Sequence, residues 1–583
     1  MHPPSDACLP PKHPARTCWG RWMAGVAALL AVGGCTGLPK EVDRPVSHAL
    51  EAPLSTPLGR LVNEHRTAAG ARSPSGFLLL SGPQAAYSSR LALVEAAQKT
   101  LDLQYYAIHA DTSTERLLLG VVAAARRGVR VRVLLDDFHS TERDAQVMRL
   151  AFVPNIEMRM FNPVPGERGS GLGRMFRMLG DFQRLQQRMH NKLFIADNAM
   201  GVTGGRNLGD AYFGNADTGN FVDLDVLAAG PVVQELSRSF DSYWNNQRAY
   251  PVQSLVTRKE LDTMRSRFQA ADAAEPTTPE TPDAAERPGP HESTAAQRAY
   301  IWNQQPMDLA QAAFVWAPAA VLVDQPAKIP TEEREGTAPL PERSPAKASP
   351  LTLTARKGRT TAPADPQPTD AATDTVVDGL LQLMGHARKD LLIISPYFVP
   401  GPDMLQAFAA ARARGVRVRV LTNSLASNDA PIAHAGYARH RPALLAMGVE
   451  LFEMRSELTG LRGAFSTTGS TGGSRAMLHS KLLVMDGRLL VVGSMNLDQR
   501  SQRQNTEIAL LIRSRDLSGR VTERIEQALG ALAWQVTQSP DQPLRWHAPE
   551  GSDLPDSDTE PDASLPLRLM LRLLGPLAPD SLL

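Results

Sequence analysis

Two stretches of the chain share one pattern of hydrophobic and polar positions. In residues 123–137, an alanine-rich run ends at Gly128 and is followed by alternating valine and arginine. The same pattern returns 287 residues later in residues 411–424, with Gly415 in the position of Gly128. A glycine commonly ends a helix, and alternation with a period of two is typical of a strand. The pattern therefore predicts a helix followed by a strand in each stretch, and it indicates an internal duplication.

Further hydrophobic runs surround both copies in the same order. Each copy is preceded by an apolar run, at 101–108 and 391–396, and followed by a short one, at 156–161 and 449–452. The order strand, helix, strand, strand matches between the two copies. It predicts an α/β layered fold made of two equivalent halves.

The two halves are placed at residues 76–250 and 375–545. Much of the intervening segment, 251–374, is dense in Pro, Ala, Thr, Glu and Asp and poor in large apolar residues, which is typical of a linker. We expect no functional site there. Residues 299–323 interrupt this composition with several aromatic side chains and are expected to pack on the folded body.

Two segments have apolar residues at helical spacing together with arginines. In residues 172–182, the pattern fits either a basic amphipathic helix at a lipid entrance or a helix that docks on the body. In residues 565–577, within a tail at 546–583, Leu and Met surround Arg568 and Arg572. This second pattern fits either a docked helix or an interfacial membrane segment.

Composition excludes several kinds of chemistry. The chain has 583 residues, of which 43% are hydrophobic and 21% charged, and its formal net charge of +1 gives no overall attraction to a polyanion. All three cysteines, Cys8, Cys18 and Cys35, lie in the first 35 residues. The folded body therefore has no thiol for disulfide, zinc or nucleophilic cysteine chemistry.

The N-terminus has the pattern of an export signal. Positive residues precede the apolar run 23–32, which is too short to span a bilayer. Val32-Gly33-Gly34-Cys35 resembles a bacterial lipoprotein box, in which the cysteine is lipidated. We therefore expect a signal peptide at 1–34, followed by a linker at 35–75. We also expect a lipid anchor at Cys35 that holds the protein on a membrane, facing the periplasm. The alternative is a plain secretory signal with an incidental cysteine.

One motif occurs once in each half. A histidine is followed by a lysine after two residues, an aspartate after seven and an asparagine after seventeen: His190, Lys192, Asp197 and Asn207 in the first half, and His479, Lys481, Asp486 and Asn496 in the second. The histidines are 289 residues apart, close to the spacing of the repeat. The apolar residues inside each motif predict a strand, with histidine and lysine on one face and the aspartate on the other. We expect the aspartates to fix lysine or loop geometry.

Two histidines and two lysines suit phosphodiester transfer. One neutral imidazole can attack phosphorus while the other, protonated, gives a proton to the leaving alcohol. The lysines can hold the phosphoryl oxygens. We expect help from the asparagines and from residues that line the turn after each motif, namely Gly204, Gly205, Gly493 and Ser494.

An attacking imidazole also needs an acceptor for its second nitrogen. Asp223 and Glu507 follow the two motifs at similar distances and precede apolar runs. We assign both the role of holding a histidine.

These residues resemble the phospholipase D superfamily, in which two such motifs close about a pseudo-twofold axis to form one active site. The resemblance implies two duplicated α/β/α sandwich halves that share the site. It also implies a ping-pong reaction through a phosphohistidine, without metal or other cofactor. By the same resemblance, His190 is the nucleophile and His479 the general acid, although the pseudo-symmetry leaves their order open.

Within the superfamily, residues 204–213 and 493–501 are most similar to bacterial cardiolipin synthases of the C type. This resemblance implies transfer of a phosphatidyl group to phosphatidylglycerol at a membrane surface, with phospholipids as partners. A hydrolase that releases phosphatidic acid remains the main alternative, and the near-neutral charge disfavours a nuclease or a nucleic acid partner. We expect a monomer; an accessory protein, the phosphatidyl donor and the choice of inner or outer membrane stay open.

Overall fold

The computed structural model describes residues 38–141, 144–164, 186–263, 265–266, 294–329, 375–456 and 475–580. Within these residues the chain forms two nine-stranded mixed sheets with helices on their faces. The predicted α/β duplication is therefore confirmed, because each half supplies most of one sheet. The lipobox cysteine Cys35 and the amphipathic segment 172–182 lie outside the described residues.

The first sheet comes mainly from the first half. Its strands, with the short β7 that pairs elsewhere, are β1 (Gly76–Ser81), β2 (Thr100–Tyr105), β3 (Arg130–Asp136), β4 (Ile156–Phe161), β5 (Leu193–Ala196), β6 (Met200–Gly204), β7 (Gly219–Val222), β8 (Leu224–Ala229), β9 (Ala249–Pro251) and β10 (Val315–Trp316). Their order across the sheet is β10-β1-β8-β6-β5-β2-β3-β4-β9. Strands β2, β3 and β4 run parallel, and the other pairs are antiparallel.

The second sheet repeats this plan. The remaining strands are β11 (Ala319–Val323), β12 (Asp390–Ile394), β13 (Phe398–Val399), β14 (Arg417–Asn423), β15 (Glu450–Met454), β16 (Arg475–Leu478), β17 (Leu482–Met485), β18 (Leu489–Gly493), β19 (Leu497–Asp498), β20 (Ile508–Arg513), β21 (Ala533–Thr537) and β22 (Arg545–His547). The order is β11-β20-β18-β17-β12-β14-β15-β21-β22, so β11 takes the place of β1 and β17 that of β5. Two further pairs form outside the large sheets, β13 with β19 and β16 with β7.

Helices cover both sheets. They are α1 (Pro57–Ala68), α2 (Pro83–Ala96), α3 (Thr112–Arg126), α4 (Pro231–Trp244), α5 (Ala295–Trp302), α6 (Val376–Met384), α7 (Pro402–Ala413), α8 (Pro431–Ala446), α9 (Gln499–Arg503), α10 (Arg515–Leu532) and α11 (Leu565–Leu574). The predicted helix before each alternating strand is present, as α3 before β3 and α7 before β14. In the part of the chain that the structure describes, none of these helices has the length and apolar character that crossing a bilayer requires.

One alternating arginine in each copy of the repeat is neutralised inside the protein. Arg132 on β3 is fully buried and pairs with Asp102 at 2.7 Å and with Asp241 at 2.8 Å. Arg419 on β14 pairs with Asp390 at 2.9 Å and Glu526 at 2.8 Å. A buried guanidinium needs such partners because its desolvation is costly. Both halves therefore have, on equivalent strands, a buried arginine that pairs with two carboxylates.

The inner faces of the two sheets share one hydrophobic core. Leu193 and Val226 of the first sheet belong to the same buried cluster as Val484 and Leu510 of the second, together with side chains from α4 and α10. Two other clusters each lie within a single half. The shared cluster fixes the halves against each other, which is what holds the two motifs in register.

The segment between the halves contributes to both sheets. Strand β10 pairs with β1, and β11, a few residues later, pairs with β20. Trp316 packs against the first-half core, and Leu322 packs against the second. The predicted insertion 251–374 thus contains the edge strand that completes the second sheet. Tyr300, Phe314 and Trp316 pack against the first-half core, as predicted, whereas Trp302 is 48% exposed.

Candidate active site

The two motif histidines and lysines lie at equivalent positions before β5 and β17. The regular strands begin at Leu193 and Leu482, just after the lysines, so His190 and His479 lie three residues before the first residue of each strand. All four motif side chains are buried. Each lysine turns back to the carbonyl of its own histidine, with an Nζ to O distance of 2.7 Å in both halves.

Each histidine is held by an acid from the other half. His190 Nδ1 lies 3.0 Å from a Glu507 carboxylate oxygen, and His479 Nδ1 lies 2.9 Å from Asp223 Oδ2. Both acids are fully or almost fully buried. These contacts leave each Nε2 as the nitrogen available for chemistry, because the acceptor fixes the proton on Nδ1. The sequence identified both acids as histidine partners but did not predict that they cross between halves.

Backbone contacts reinforce this exchange. The amide of His190 donates to the carbonyl of Thr506 at 2.9 Å, directly before Glu507. The amide of His479 donates to the carbonyl of Val222 at 2.9 Å, directly before Asp223. Strands β7 and β16 pair in parallel across the same boundary. A backbone hydrogen bond between the halves therefore lies directly beside each contact between an acid and its histidine.

The motif aspartates lie at the far end of the strands. Asp197 accepts hydrogen bonds from the amides of residues 98–100, and Asp486 accepts them from residues 388–390, at 2.7 to 3.2 Å. Both adopt a φ of 52°, in the left-handed region that an L residue enters at some cost. This geometry agrees with a role in fixing a loop, and it keeps both carboxylates away from the histidines.

The turn residues after the motifs make room for the acids. A side-chain carbon on Gly205 would lie 2.5 Å from Asp223 Oδ2, and one on Gly204 would lie 2.1 Å from Asp225 Oδ1. In the second half Gly493 approaches the Ile508 carbonyl in the same way. Ser494, at the position of Gly205, instead donates its hydroxyl to Glu507 at 2.5 Å. Contact of these four residues with substrate stays a prediction.

The two asparagines differ in their surroundings. Asn207 Oδ1 accepts from the Ala107 amide at 3.3 Å, and its Nδ2 donates to the Tyr212 hydroxyl at 3.0 Å. The backbone amide of Asn496 donates to Ser501 Oγ at 3.1 Å. The buried side-chain Oδ1 of Asn496 has no hydrogen-bond partner within the described residues. Asn207 is therefore tied into the site wall, and Asn496 keeps one polar atom available.

Aromatic side chains that the sequence did not identify enclose the histidines. Tyr106 stands edge-on to His190 with ring centroids 5.1 Å apart, and Tyr212 stands edge-on to His479 at 5.3 Å. Phe221 lies 4.9 Å from His479, and the Lys192 ammonium lies 5.7 Å from the Tyr106 ring centre. Tyr106 directly follows β2, the neighbour of the motif strand β5, and this position was the available signal. The wall limits water near the imidazoles.

Burial and the two lysines determine the protonation of the histidines. Burial lowers the pKa of His190 to about 4, with Lys192 acting in the same direction and Glu507 against it. Burial and Lys481 hold the pKa of His479 well below its usual value. In the free protein at neutral pH both imidazoles are therefore neutral. An anionic phosphodiester between the lysines would raise both values by opposing their charge.

The lysines and acids are shifted as well. Burial lowers the pKa of Lys192 to about 7 and that of Lys481 to about 8. Burial raises the pKa of Asp223 despite the nearby Arg206 and Lys481. Burial also acts to raise the pKa of Glu507, but His190, Lys192 and the Ser494 hydroxyl overcome it and the net shift is downward. The two acid–histidine pairs thus share their geometry but differ electrostatically.

Comparison with known proteins agrees with this arrangement. The family model described as "Cardiolipin synthase, PLD-like domain" matches residues 91–244 and 380–529. The chain is 34% identical to cardiolipin synthase C of Escherichia coli K12, over 84% of this chain and 92% of that protein. It is 32% identical to an uncharacterized protein of Helicobacter pylori 26695, over 92% of this chain and 95% of that protein.

Among solved structures, the fold is similar to that of a phosphatidylserine synthase from Haemophilus influenzae Rd KW20. The TM-score is 0.52, and the match covers 90% of this chain and all of that one at 12% sequence identity. At this identity the likeness supports the two-sheet fold alone.

Proposed function

We propose that this protein forms cardiolipin. The chain belongs to the cardiolipin synthase family of phospholipase D-like proteins, and it is an enzyme of the phosphatidyltransferase type. The substrates are phosphatidylglycerol and a second phospholipid that donates a phosphatidyl group. The reaction passes through a phosphohistidine. One observation carries the proposal: the two histidines, each held by the opposite half's acid, stand with both lysines in a single buried centre.

The first step is transfer to the enzyme. Nε2 of His190 attacks the phosphorus of the donor lipid, so that a P–N bond forms while the P–O bond to the leaving alcohol breaks. His479, which takes up a proton on Nε2 when the anionic donor binds between the lysines, gives that proton to the departing oxygen. Lys192 and Lys481 hold the non-bridging oxygens, where negative charge increases in the transition state.

The second step reverses the same proton path. A glycerol hydroxyl of phosphatidylglycerol loses its proton to His479 and attacks phosphorus. The new P–O bond completes cardiolipin as the P–N bond to His190 breaks. Because His479 regains its proton and His190 its lone pair, the site returns to its starting state.

The surroundings of the acids support His190 as the nucleophile. Glu507 receives hydroxyl hydrogen bonds from Ser494 at 2.5 Å and Ser501 at 2.9 Å, in addition to its contact with His190. A firmly ionised carboxylate stabilises the positive charge that an imidazole gains when it is phosphorylated. Burial raises the pKa of Asp223, so the negative charge beside His479 is less stabilised than the one beside His190.

One chain supplies every group in this mechanism, which supports action as a monomer. We further propose that Cys35 carries a lipid anchor and that the enzyme faces the periplasm from a membrane surface. Residues 44–49 dock on the first half, with the Ala49 amide 2.9 Å from Asp241 Oδ2 and Arg44 Nε 3.3 Å from the Ala249 carbonyl. An acylated Cys35 would be at most about 30 Å of extended chain from Arg44, so the anchor would keep the body close to the bilayer.

The proposal is tested by product analysis. The full chain is incubated with phosphatidylglycerol vesicles, with and without phosphatidylethanolamine, and the lipids are analysed by mass spectrometry. We expect cardiolipin, and we expect the control His386→Ala to form it at the wild-type rate because that ring is exposed and hydrogen-bonds the Gln382 carbonyl of α6, outside the site. Phosphatidic acid as the sole product would make the enzyme a hydrolase. Absence of any lipid turnover would contradict both.

A further inference from the structure

Helix α11 presents an apolar face to solvent. Leu565 is 62% exposed, Leu569 48%, Met570 39% and Leu573 74%. Their spacing of four, five and eight residues from Leu565 places them on one side of an α-helix. An isolated exposed leucine is ordinary on a protein surface, but four on one ten-residue helix are not.

This face is concentrated at one place on the molecule. Elsewhere in the described residues the exposed large hydrophobic side chains are scattered, at Val46, Leu54, Leu119, Trp302 and Ile432. Ile432 begins α8, the helix on which α11 packs. Among the described residues, α11 is therefore where exposed large hydrophobic side chains are grouped.

The helix is firmly attached despite its exposure. Ser564 caps its N-terminus, and Gly575 at its C-terminus lies against Ala435 of α8. Arg439 Nη1 donates to the Gly575 carbonyl at 2.7 Å, and His440 Nε2 lies 2.8 Å from Asp580 Oδ2. The sequence left open whether this segment docks or faces a membrane, and the structure allows both because α8 takes one side and solvent the other.

Charge indicates what covers the exposed face. The helix contains two arginines and no acidic residue. Arg568 hydrogen-bonds Thr559 Oγ1 at 2.9 Å, whereas the exposed Arg572 has no ion pair with any residue in the described ranges. Leucines flanked by a free guanidinium match the boundary between acyl chains and anionic headgroups.

We propose that the α11 face inserts into the surface of an anionic phospholipid bilayer and holds the catalytic body on its substrate. A second copy of the chain fits less well. Ten residues at about 1.5 Å rise form a strip only about 15 Å long, whereas a stable interface buries roughly 800 Å² on each partner. This inference rests on the proposed function, since it names the surface through which that site reaches lipid.

The test separates membrane contact from chemistry. Leu569→Gln combined with Leu573→Gln is compared with the wild-type full chain on two substrates: long-chain phosphatidylglycerol in vesicles, and dihexanoyl phosphatidylglycerol dissolved as monomers. We expect the variant to lose at least tenfold in rate on vesicles and to keep the wild-type rate on the dissolved substrate. Leu119→Gln, which changes an exposed leucine on α3, serves as the matched control and should keep both rates.

Each outcome has a distinct meaning. Equal vesicle rates for wild type and the double variant would overturn the inference while leaving the proposed function intact. Failure of the wild-type chain on both substrates would instead contradict the proposed function. A wild-type particle in detergent with twice the mass of the variant, measured by light scattering, would assign the face to a second copy and also overturn the inference.

Discussion

The two halves of the molecule share a backbone plan but not a chemical environment. In each half the histidine precedes the motif strand, which is β5 in the first sheet and the equivalent β17 in the second. Each half also supplies an acid that hydrogen-bonds the histidine of the other half. Around Glu507, two serine hydroxyls stabilise the carboxylate. Around Asp223, Gly205 only leaves space, and burial raises the pKa. Duplication therefore conserved the frame, while a few side chains gave the two histidines different partners and, we infer, different tasks.

The largest expected difference between the halves concerns the covalent intermediate. His190→Ala should lower turnover by at least about 10⁴-fold and leave no phosphatidyl group on the protein. His479→Ala should also be slow, by about 10²- to 10⁴-fold as expected for loss of a general acid, but should accumulate the adduct when the donor has a good leaving group. Intact-protein mass spectrometry at alkaline pH checks this. An adduct found only in His190→Ala would exchange the two roles.

Substitutions that make the surroundings of Asp223 and Glu507 more alike should lower kcat by unequal amounts in the two halves. Gly205→Ser should lower kcat by about 10²-fold or more, because the new carbon would displace Asp223 from His479. Ser494→Gly should lower kcat about tenfold, or about 1.4 kcal/mol. This is near the lower end, about 1.5 kcal/mol, for one hydrogen bond to a charged group, because Ser501 still holds Glu507. Steady-state kinetics of both variants provide the measurement.

Gly519→Ser is the control for this pair, because a side chain there meets open space on α10. Thermal denaturation should show all three variants folded. Equal losses for Gly205→Ser and Ser494→Gly would mean that the two acid environments are functionally equivalent, contrary to the comparison.

The smallest expected effect is on pH dependence. In the proposed mechanism His190 acts as a neutral nucleophile, so kcat/KM should be lost as pH falls through its pKa of about 4. The general acid His479 and the two lysines act in their charged forms, so kcat/KM should decline as pH rises. The decline begins above the lowered pKa of His479 and continues through about 7 for Lys192 and about 8 for Lys481. Initial rates at low substrate between pH 4 and 10 test this. A rate that stays constant to pH 9.5 would show that the lysine charges are not needed for binding.

Local patterns were sufficient to predict the repeated architecture. The Val/Arg alternation after Gly128 and Gly415 predicted β3 and β14, because strand periodicity is a property of neighbouring residues. The seven-residue interval from His190 to Asp197 spans one short strand, which explains why motif spacing places the histidines and lysines at equivalent positions in the two halves.

Contacts set by packing between the halves were not predictable in the same way. The partner of His190 is 317 residues away, and nothing near either residue encodes the crossing. The edge strand β11 escaped notice because it lies in proline-rich surroundings and is completed only by pairing with β20. Tyr106 and Tyr212 were missed because aromatic residues beside strands are most often core residues.

The exchange of acids has a consequence for how the enzyme comes into being. Protein synthesis proceeds from the N-terminus, so the first half is made long before Glu507 exists. Until then His190 lacks the carboxylate that orients it, and His479 itself is made only about 28 residues before Glu507. A chain that ends before Glu507 therefore lacks one of the two acid–histidine pairs. The exchanged acids thus make the complete site depend on synthesis of both halves and on their folding together.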